Sequence, residues 1–307
     1  MRMIRLNRSV YRICLPILFL NTAADLTAQS PNRNRSTSVT IPVSVYDRAG
    51  RPVTDLKQDD FQILEGTERQ KITSFRHEDN PLSIGLVIDN SGSMRNRRQR
   101  INSAVLAFVR ESNPEDEAFI VNFGDTAYVE QQFTSSLGDL IDAFEKLNPR
   151  GQTALYDAIS LSADKLMKEG RKDVRAILLV SDGEDNVSKT KYDDALRRLQ
   201  ESNVTLYAIG LMEDARSGQR PSAKAKKVLQ DFADATGGAA YFPKSIEQVE
   251  ELCKEIAHDL RSRYTIAYEP SNAARDGGWR DVKVGVAPSK AGSRLTVRAK
   301  PGYFAAK

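Results

Sequence analysis

Residues 83–94, SIGLVIDNSGSM, pass from a continuous apolar run into a short polar loop. Residues 83–88 lack the alternation of a strand with one solvated face, so they predict a β-strand buried on both faces. Residues 176–180 and 206–209 are apolar runs of the same kind. Segments with helical periodicity lie between these runs. Strands that alternate with helices predict an α/β fold with a doubly wound, mostly parallel sheet covered by helices on both faces.

The remaining elements of this domain follow from the same patterns. Helices are predicted over residues 98–111, 137–147, 154–168, 192–202, 223–235 and 246–261. Further strands are predicted over residues 118–123, 127–133, 176–180, 205–211 and 239–242.

The segments on either side of this domain have the sequence pattern of β-strands. Residues 39–46 alternate apolar and polar side chains, and similar alternation returns after residue 262. Neither flank is long enough to bury a core alone, so we expect both to pair in one small β-sandwich with the α/β domain inserted. Pro42 predicts an edge position for the first strand. The predicted segments are 1–28, a signal peptide; 29–80, an N-terminal β segment; 81–262, the α/β domain; and 263–307, a C-terminal β segment that pairs with 37–80.

The N-terminus has the order of a secretory signal. Four arginines come first, an apolar run covers residues 13–20, and Ala28 ends a sequence typical of cleavage sites. The run is shorter than the roughly 20 residues of a membrane-spanning helix. We therefore expect a secreted or periplasmic bacterial protein without stable membrane insertion after cleavage. An uncleaved anchor or a misplaced start is the alternative.

Charge and composition exclude several classes of function. The chain has 45 Lys and Arg against 41 Asp and Glu; the first 28 residues contain four of the arginines and one of the acids. The remaining chain is near neutral, which gives no reason to expect nucleic acid as a partner. Cys14 and Cys253 are the only cysteines, and His77 and His258 the only histidines. A Cys/His zinc site, an internal disulfide after cleavage and a histidine-activated nucleophile are therefore not expected.

The polar loop after the first buried strand contains candidate metal ligands. Asp89, Ser91 and Ser93 form a D-x-S-x-S run at the carboxyl end of that strand, where ligands bind in sheets of this kind. Thr153 precedes a predicted helix, and Asp182 follows a second buried strand. Carboxylate and hydroxyl oxygens are hard ligands, which suit Mg²⁺, Mn²⁺ or Ca²⁺ better than zinc or copper.

In spacing and context these five residues resemble the metal-ion-dependent adhesion site of the von Willebrand factor A (VWFA) family. The resemblance covers roughly residues 82–262, and residues 59–61, 70–72 and 302–304 resemble the flanks of secreted VWFA-related proteins of acidobacteria. It implies a Rossmann-like sheet with residues 127–133 as its antiparallel edge strand. It also implies a divalent cation, most often Mg²⁺, bound directly by Ser91 and Ser93 and directly or through water by Thr153 and Asp182. A partner's Asp or Glu then supplies the last ligand.

Our first hypothesis is a secreted protein-binding or adhesion module, not an enzyme, that recognises a partner's carboxylate through the cation. A structural component of a cell-envelope complex with a secondary metal site is an alternative, as is a metal-dependent hydrolase. A vestigial site that no longer binds metal is a further alternative. Four arginines follow the polar loop: Arg95, Arg97, Arg98 and Arg100. They form either a basic rim that faces an acidic partner or a solvated helical turn. Three further residues are candidates to support the ligands or face the partner: Asn90, Asp125 and Asp185.

Overall fold

The computed structural model describes residues 38–77, 79–111, 113–146, 151–212, 222–287 and 295–307. The predicted signal peptide and residues 29–36 lie outside these ranges. Within them, no helix combines the length and the apolar character needed to cross a membrane.

The described residues form fourteen strands, six α-helices and two short 3₁₀ turns at Gln58–Asp60 and Gly92–Met94. The strands are β1 (Val39–Tyr46), β2 (Phe61–Glu65), β3 (Glu68–Gln70), β4 (Ile72–Arg76), β5 (Leu82–Asp89), β6 (Glu117–Phe123), β7 (Ala127–Thr134), β8 (Val174–Ser181), β9 (Thr205–Gly210), β10 (Ala239–Tyr241), β11 (Tyr264–Tyr268), β12 (Trp279–Val286), β13 (Thr296–Ala299) and β14 (Gly302–Phe304). The helices are α1 (Arg98–Arg110), α2 (Leu137–Lys146), α3 (Leu155–Glu169), α4 (Tyr192–Glu201), α5 (Ala223–Thr236) and α6 (Gln248–Arg261).

A six-stranded sheet in the order β10-β9-β8-β5-β6-β7 forms the centre of the molecule. All neighbouring pairs are parallel except β6 with β7. Successive side chains of β5 point to opposite faces. Leu86 therefore packs in a core with α1, α2 and α6, and Val87 in a second core with α3, α4 and α5. The predicted α/β fold is confirmed, and β7 is the antiparallel edge strand.

Strands from both flanks form two antiparallel four-stranded sheets, β13-β1-β11-β4 and β14-β12-β2-β3. In the first, β1 pairs with β11 and β13; in the second, β2 pairs with β12. Inward-facing side chains of both sheets share one core, so the flanks build the expected β-sandwich. The boundaries at residues 80 and 262 stay predictions. This core includes Ile41, Val43, Phe61, Ile63, Tyr264, Ile266, Tyr268 and Val282.

The prediction of an edge position for β1 is wrong, because the strand lies inside its sheet. Pro42 pairs with Thr265 of β11, while the pairing with β13 begins one residue later, at Val43. At Pro42 the described residues therefore contribute a strand on one side only. A residue without an N–H group is tolerated at such a place, although the strand as a whole is interior.

A buried polar network joins the sandwich to the α/β domain. Asp259 of α6 is 4% exposed and accepts hydrogen bonds from the hydroxyl groups of Tyr46 in β1 and Tyr207 in β9. The guanidinium of Arg263, itself 6% exposed, donates to the Tyr207 hydroxyl, and Arg298 of β13 lies 3.6 Å from the Asp259 carboxylate. Burial, with the Asp259 charge beside it, raises the pKa of Tyr46, so its hydroxyl stays protonated and donates.

Candidate metal centre

Asp89 ends β5 at the carboxyl edge of the central sheet, and its side chain is 2% exposed. Its Oδ1 accepts a hydrogen bond from the Ser91 N–H at 2.9 Å, and its Oδ2 accepts one from the Ser181 hydroxyl at 2.7 Å. Burial raises the pKa of Asp89 to about 6, and the charge of Asp182 adds to the shift. The chain therefore fixes this carboxylate in one orientation beside a second carboxylate.

Ser91 and Ser93 connect the two carboxylates: the Ser91 N–H binds Asp89, and the Ser93 hydroxyl binds Asp182. Ser91 and Ser93 flank the first residue of the 3₁₀ turn, with their Oγ atoms 3.0 Å apart. The Ser93 hydroxyl donates to Oδ2 of Asp182 at 2.7 Å. Asp182 directly follows β8, and β8 is the parallel neighbour of β5. Four of the five predicted site residues thus form one hydrogen-bonded cluster at adjacent strand ends.

Thr153 lies on a neighbouring loop, is 5% exposed and is held through its backbone. Its N–H donates to the side-chain oxygen of Asn186 at 2.9 Å, and its carbonyl accepts from the Asn186 N–H at 3.0 Å. The loop is docked against the serine loop because the Gly92 N–H donates to the Gly151 carbonyl at 3.2 Å. The structure therefore places the Thr153 loop against the loop that carries Ser91 and Ser93.

Gly151 lets this loop pass close to Asp125. Its φ is +79°, and a Cβ there would lie 2.3 Å from Oδ2 of Asp125. Asp125 in turn accepts a hydrogen bond from the Gln152 N–H at 2.8 Å. Only glycine combines the left-handed conformation with this close approach, so Asp125 orients the loop that precedes Thr153.

The other two candidates for supporting residues, Asp185 and Asn90, also hold loops in place. Asp185 accepts hydrogen bonds from the Tyr156 N–H at 3.2 Å and from the Ser188 hydroxyl at 2.5 Å, which ties the loop after β8 to the start of α3. Asn90 is 8% exposed, and its N–H donates to the Phe123 carbonyl at 2.7 Å. These residues position the loops around the cluster.

The four arginines near the cluster differ in their surroundings. Arg95 is exposed, whereas the others bind elsewhere in the chain. Arg97 donates to the Leu211 carbonyl, Arg98 donates to the Phe144 carbonyl, and Arg100 pairs with Glu247.

Sequence reasoning did not single out Ser181, which holds the buried oxygen of Asp89 and also accepts from the Gly183 N–H at 3.0 Å. Its only signal is its place directly before Asp182 at a strand end. That signal identifies a partner for Asp89 only once β5 and β8 are known to be neighbours.

We expect Ser181→Ala to weaken divalent-cation binding about tenfold, because outer hydrogen bonds that orient a ligand contribute at least that much. Calorimetric titration with Mg²⁺ measures the effect. Ser160→Ala is the matched control: Ser160 is a buried serine on α3 whose hydroxyl bonds to no other described residue. Equal affinities of the two variants would show that Ser181 does not orient Asp89.

The chemistry of these donors fits a hard divalent cation. The two carboxylates formally balance a charge of two, and the serine and threonine hydroxyls are neutral oxygen donors. Among the described residues, no group of three or more His, Cys, Asp or Glu side chains comes together as a metal site. A cation at this edge would therefore depend on the mixed set of Asp89, Ser91, Ser93, Thr153 and Asp182.

The cysteine and histidines of the described residues lie elsewhere. Burial raises the pKa of Cys253, in α6, to about 12, so it stays an unreactive thiol. His77 packs 4.6 Å from the ring of Tyr264 in the sandwich, and His258 lies in α6. The described part of the chain thus assembles no histidine-activated nucleophile at the cluster.

Comparisons with known proteins show what the α/β domain is similar to. Residues 84–184 match the family model described as von Willebrand factor type A domain. The chain is 24% identical over 209 residues, 64% of its length, to inter-alpha-trypsin inhibitor heavy chain H4 of Sus scrofa, but spans only 22% of that relative.

Two solved structures share the fold. A von Willebrand factor type A structure from Catenulispora acidiphila matches with a TM-score of 0.52 and 14% identity, over 90% of this chain and 76% of that one. Proximal thread matrix protein 1 from the mussel byssus was solved with a zinc-occupied MIDAS (metal-ion-dependent adhesion site) motif. It matches with a TM-score of 0.50 and 19% identity, over 64% of this chain and 50% of that one. The chain is therefore similar to von Willebrand factor type A domains, in sequence over residues 84–184 and in the fold of the α/β domain.

Proposed function

We propose that the protein is a secreted or periplasmic protein-binding module that binds a divalent cation and recognises a partner's carboxylate through it. The supporting observation is the hydrogen-bonded chain from Asp89 through Ser91 and Ser93 to Asp182 at adjacent strand ends. The proposed ligands are these four residues and Thr153. The proposed cation is Mg²⁺, with Mn²⁺ or Ca²⁺ as alternatives.

The residues on the inner and outer sides of this site have different roles. Ser181 and the Ser91 N–H hold both oxygens of the buried Asp89, which fixes the inner side of the cluster. Asp182 is more exposed, and its Oδ1 accepts the backbone N–H of Glu184 at 3.1 Å. The outer side is thus the side from which a partner approaches. A bound cation supplies an electrophilic centre there for an incoming Asp or Glu carboxylate.

Binding accounts for these residues better than catalysis does. The cluster holds two carboxylates and hydroxyls, and its only bases are its own candidate ligands. The near-neutral charge after residue 28 favours a protein over nucleic acid as the partner. The export part of the proposal rests on residues 1–28, and on the resemblance to secreted VWFA-related proteins of acidobacteria.

Selection from a random peptide library tests the function. We expect peptides captured in Mg²⁺ to carry a shared Asp or Glu, and to be released by EDTA. Changing that residue to its amide should abolish binding, as should Asp89→Ala in the protein. Peptides that bind equally in EDTA would contradict carboxylate recognition through a cation and favour a structural role. Peptides without a shared acidic residue would contradict it as well.

A further inference from the structure

Helix α3 begins beside the candidate metal centre without a capping side chain of its own. Its N-cap residue is Ala154, whose methyl group cannot accept a hydrogen bond. The first N–H groups of a helix have no partner within the helix, so they need acceptors from elsewhere. The loop between β8 and α4 supplies two of them: Oδ1 of Asp185 accepts the Tyr156 N–H, and the Ser188 hydroxyl accepts the Asp157 N–H, each at 3.2 Å. This loop therefore caps α3 from residues 29 and 31 positions away in the sequence.

The side chain of Asp157 makes the reverse contact, from the helix to the loop. Its Oδ2 accepts the Lys189 N–H at 3.0 Å, and its Oδ1 accepts the Thr190 N–H at 2.8 Å. Both oxygens of one carboxylate thus bind the backbone of the loop between β8 and α4, and hydrogen bonds to an ionised acceptor are among the stronger ones. The helix and the loop each supply acceptors for N–H groups of the other, as the two residues of a capping box do within one helix.

The same junction includes two of the proposed ligands. Thr153 directly precedes the N-cap of α3, and Asn186 binds both its N–H and its carbonyl. Asp182 is the first residue of the loop between β8 and α4, three positions before Asp185. The hydrogen bonds therefore run along both segments, from Thr153 to Asp157 on one side and from Asp185 onward on the other. These contacts tie the segment that carries Thr153 to the segment that carries Asp182.

We propose that Asp157 is a positioning residue of the metal centre, which fixes Thr153 and Asp182 relative to each other before a cation binds. The proposal rests on the proposed function, because it takes both residues as ligands of the cation. Both oxygens of Asp157 bind N–H groups of the loop, so the residue acts through the loop and not as a ligand. Ligands that are already in place lose less conformational freedom when the cation binds, which raises the affinity.

Amide hydrogen exchange of the ¹⁵N-labelled protein, followed by nuclear magnetic resonance in EDTA, tests the positioning without a metal. In Asp157→Ala we expect the N–H groups of Lys189 and Thr190 to exchange about tenfold faster, because they lose their acceptor. The Thr153 N–H should also exchange faster, because the loop that carries its acceptor Asn186 is then held less firmly. A change at Thr153 shows that the effect of Asp157 reaches a proposed ligand.

Asp164→Ala is the matched control on the same helix. Asp164 also accepts hydrogen bonds at both oxygens, but from Arg198 of α4, at 2.6 Å, and about two helical turns beyond Asp157. Calorimetric titration with Mg²⁺ should give an affinity about tenfold weaker for Asp157→Ala and unchanged for Asp164→Ala. Asp157→Asn should fall between Asp157→Ala and the unmodified protein, because an amide oxygen can replace one carboxylate oxygen and the NH₂ group cannot accept the second N–H.

The outcomes separate this proposal from the proposed function. Unchanged exchange at Thr153 in Asp157→Ala would overturn the positioning role, as would a Mg²⁺ affinity equal to that of the unmodified protein. Cation-dependent binding would remain in both cases. An affinity of Asp157→Asn as low as that of Asp157→Ala would assign the effect to the lost charge and would also overturn it. If the unmodified protein binds none of Mg²⁺, Mn²⁺ and Ca²⁺, the proposed function itself is contradicted.

Discussion

Asp259→Ala is expected to lower the free energy of unfolding by about 3–5 kcal/mol, the usual result of removing one partner from a buried ionic network. The change leaves Arg263, 6% exposed, without its carboxylate, and leaves the hydroxyls of Tyr46 and Tyr207 without the acceptor they share. For a folded unit of this size the midpoint of thermal unfolding should fall by about 10 °C. Circular dichroism during heating measures the shift.

Glu250→Ala on the same helix is the matched control. Glu250 pairs with Lys254 at 3.1 Å, but its side chain is 55% exposed. Exposed pairs of this kind contribute about 0–1 kcal/mol, so this variant should unfold close to the unmodified protein. If both variants unfold at the same temperature, Asp259 does not join the sandwich to the α/β domain.

Asp182→Ala is expected to remove the stabilisation that a divalent cation gives the folded protein. Cation at a hundred times its dissociation constant stabilises a folded protein by about 2.7 kcal/mol, which corresponds to about 5–10 °C here. The variant keeps a single carboxylate, Asp89, in the cluster, and the Ser93 hydroxyl loses its acceptor. The midpoint of thermal unfolding, measured in Mg²⁺ and in EDTA, gives this stabilisation for the variant and for the unmodified protein.

Glu184→Ala provides the control for charge. Glu184 lies two residues away and is exposed, and its hydrogen bond to Asp182 comes from its backbone N–H, which the substitution keeps. The Glu184→Ala variant loses the same charge as Asp182→Ala. Its midpoint of thermal unfolding should still rise by the full amount when Mg²⁺ is added. A shift that persists in Asp182→Ala, or disappears in both variants, would contradict the assignment of Asp182 as a ligand.

The central sheet could be predicted because its strands are buried on both faces. The apolar runs that became β5, β8 and β9 carry that information locally. The position of β1 could not be predicted in this way. Pro42 lacks an N–H whatever its neighbours are, and the sequence does not show that β13 begins to pair only at Val43.

The candidate ligands were found because D-x-S-x-S lies within one loop and the other two residues follow recognisable loop patterns. Side-chain contacts between residues far apart in the sequence are harder to find. Ser181 contacts Asp89 across 92 positions of sequence, and Tyr46 contacts Asp259 across 213. Such contacts depend on which strands and helices become neighbours, and a periodic pattern in one segment does not encode this.

Calorimetric titration of the protein with Mg²⁺, Mn²⁺ and Ca²⁺, beside Asp89→Ala, tests the central claim most directly. We expect binding of one cation per chain for at least one of these metals, and its loss in the variant, because Asp89 is the buried carboxylate that Ser91 and Ser181 orient. Binding of the same strength in both proteins would contradict a metal centre at the ends of β5 and β8.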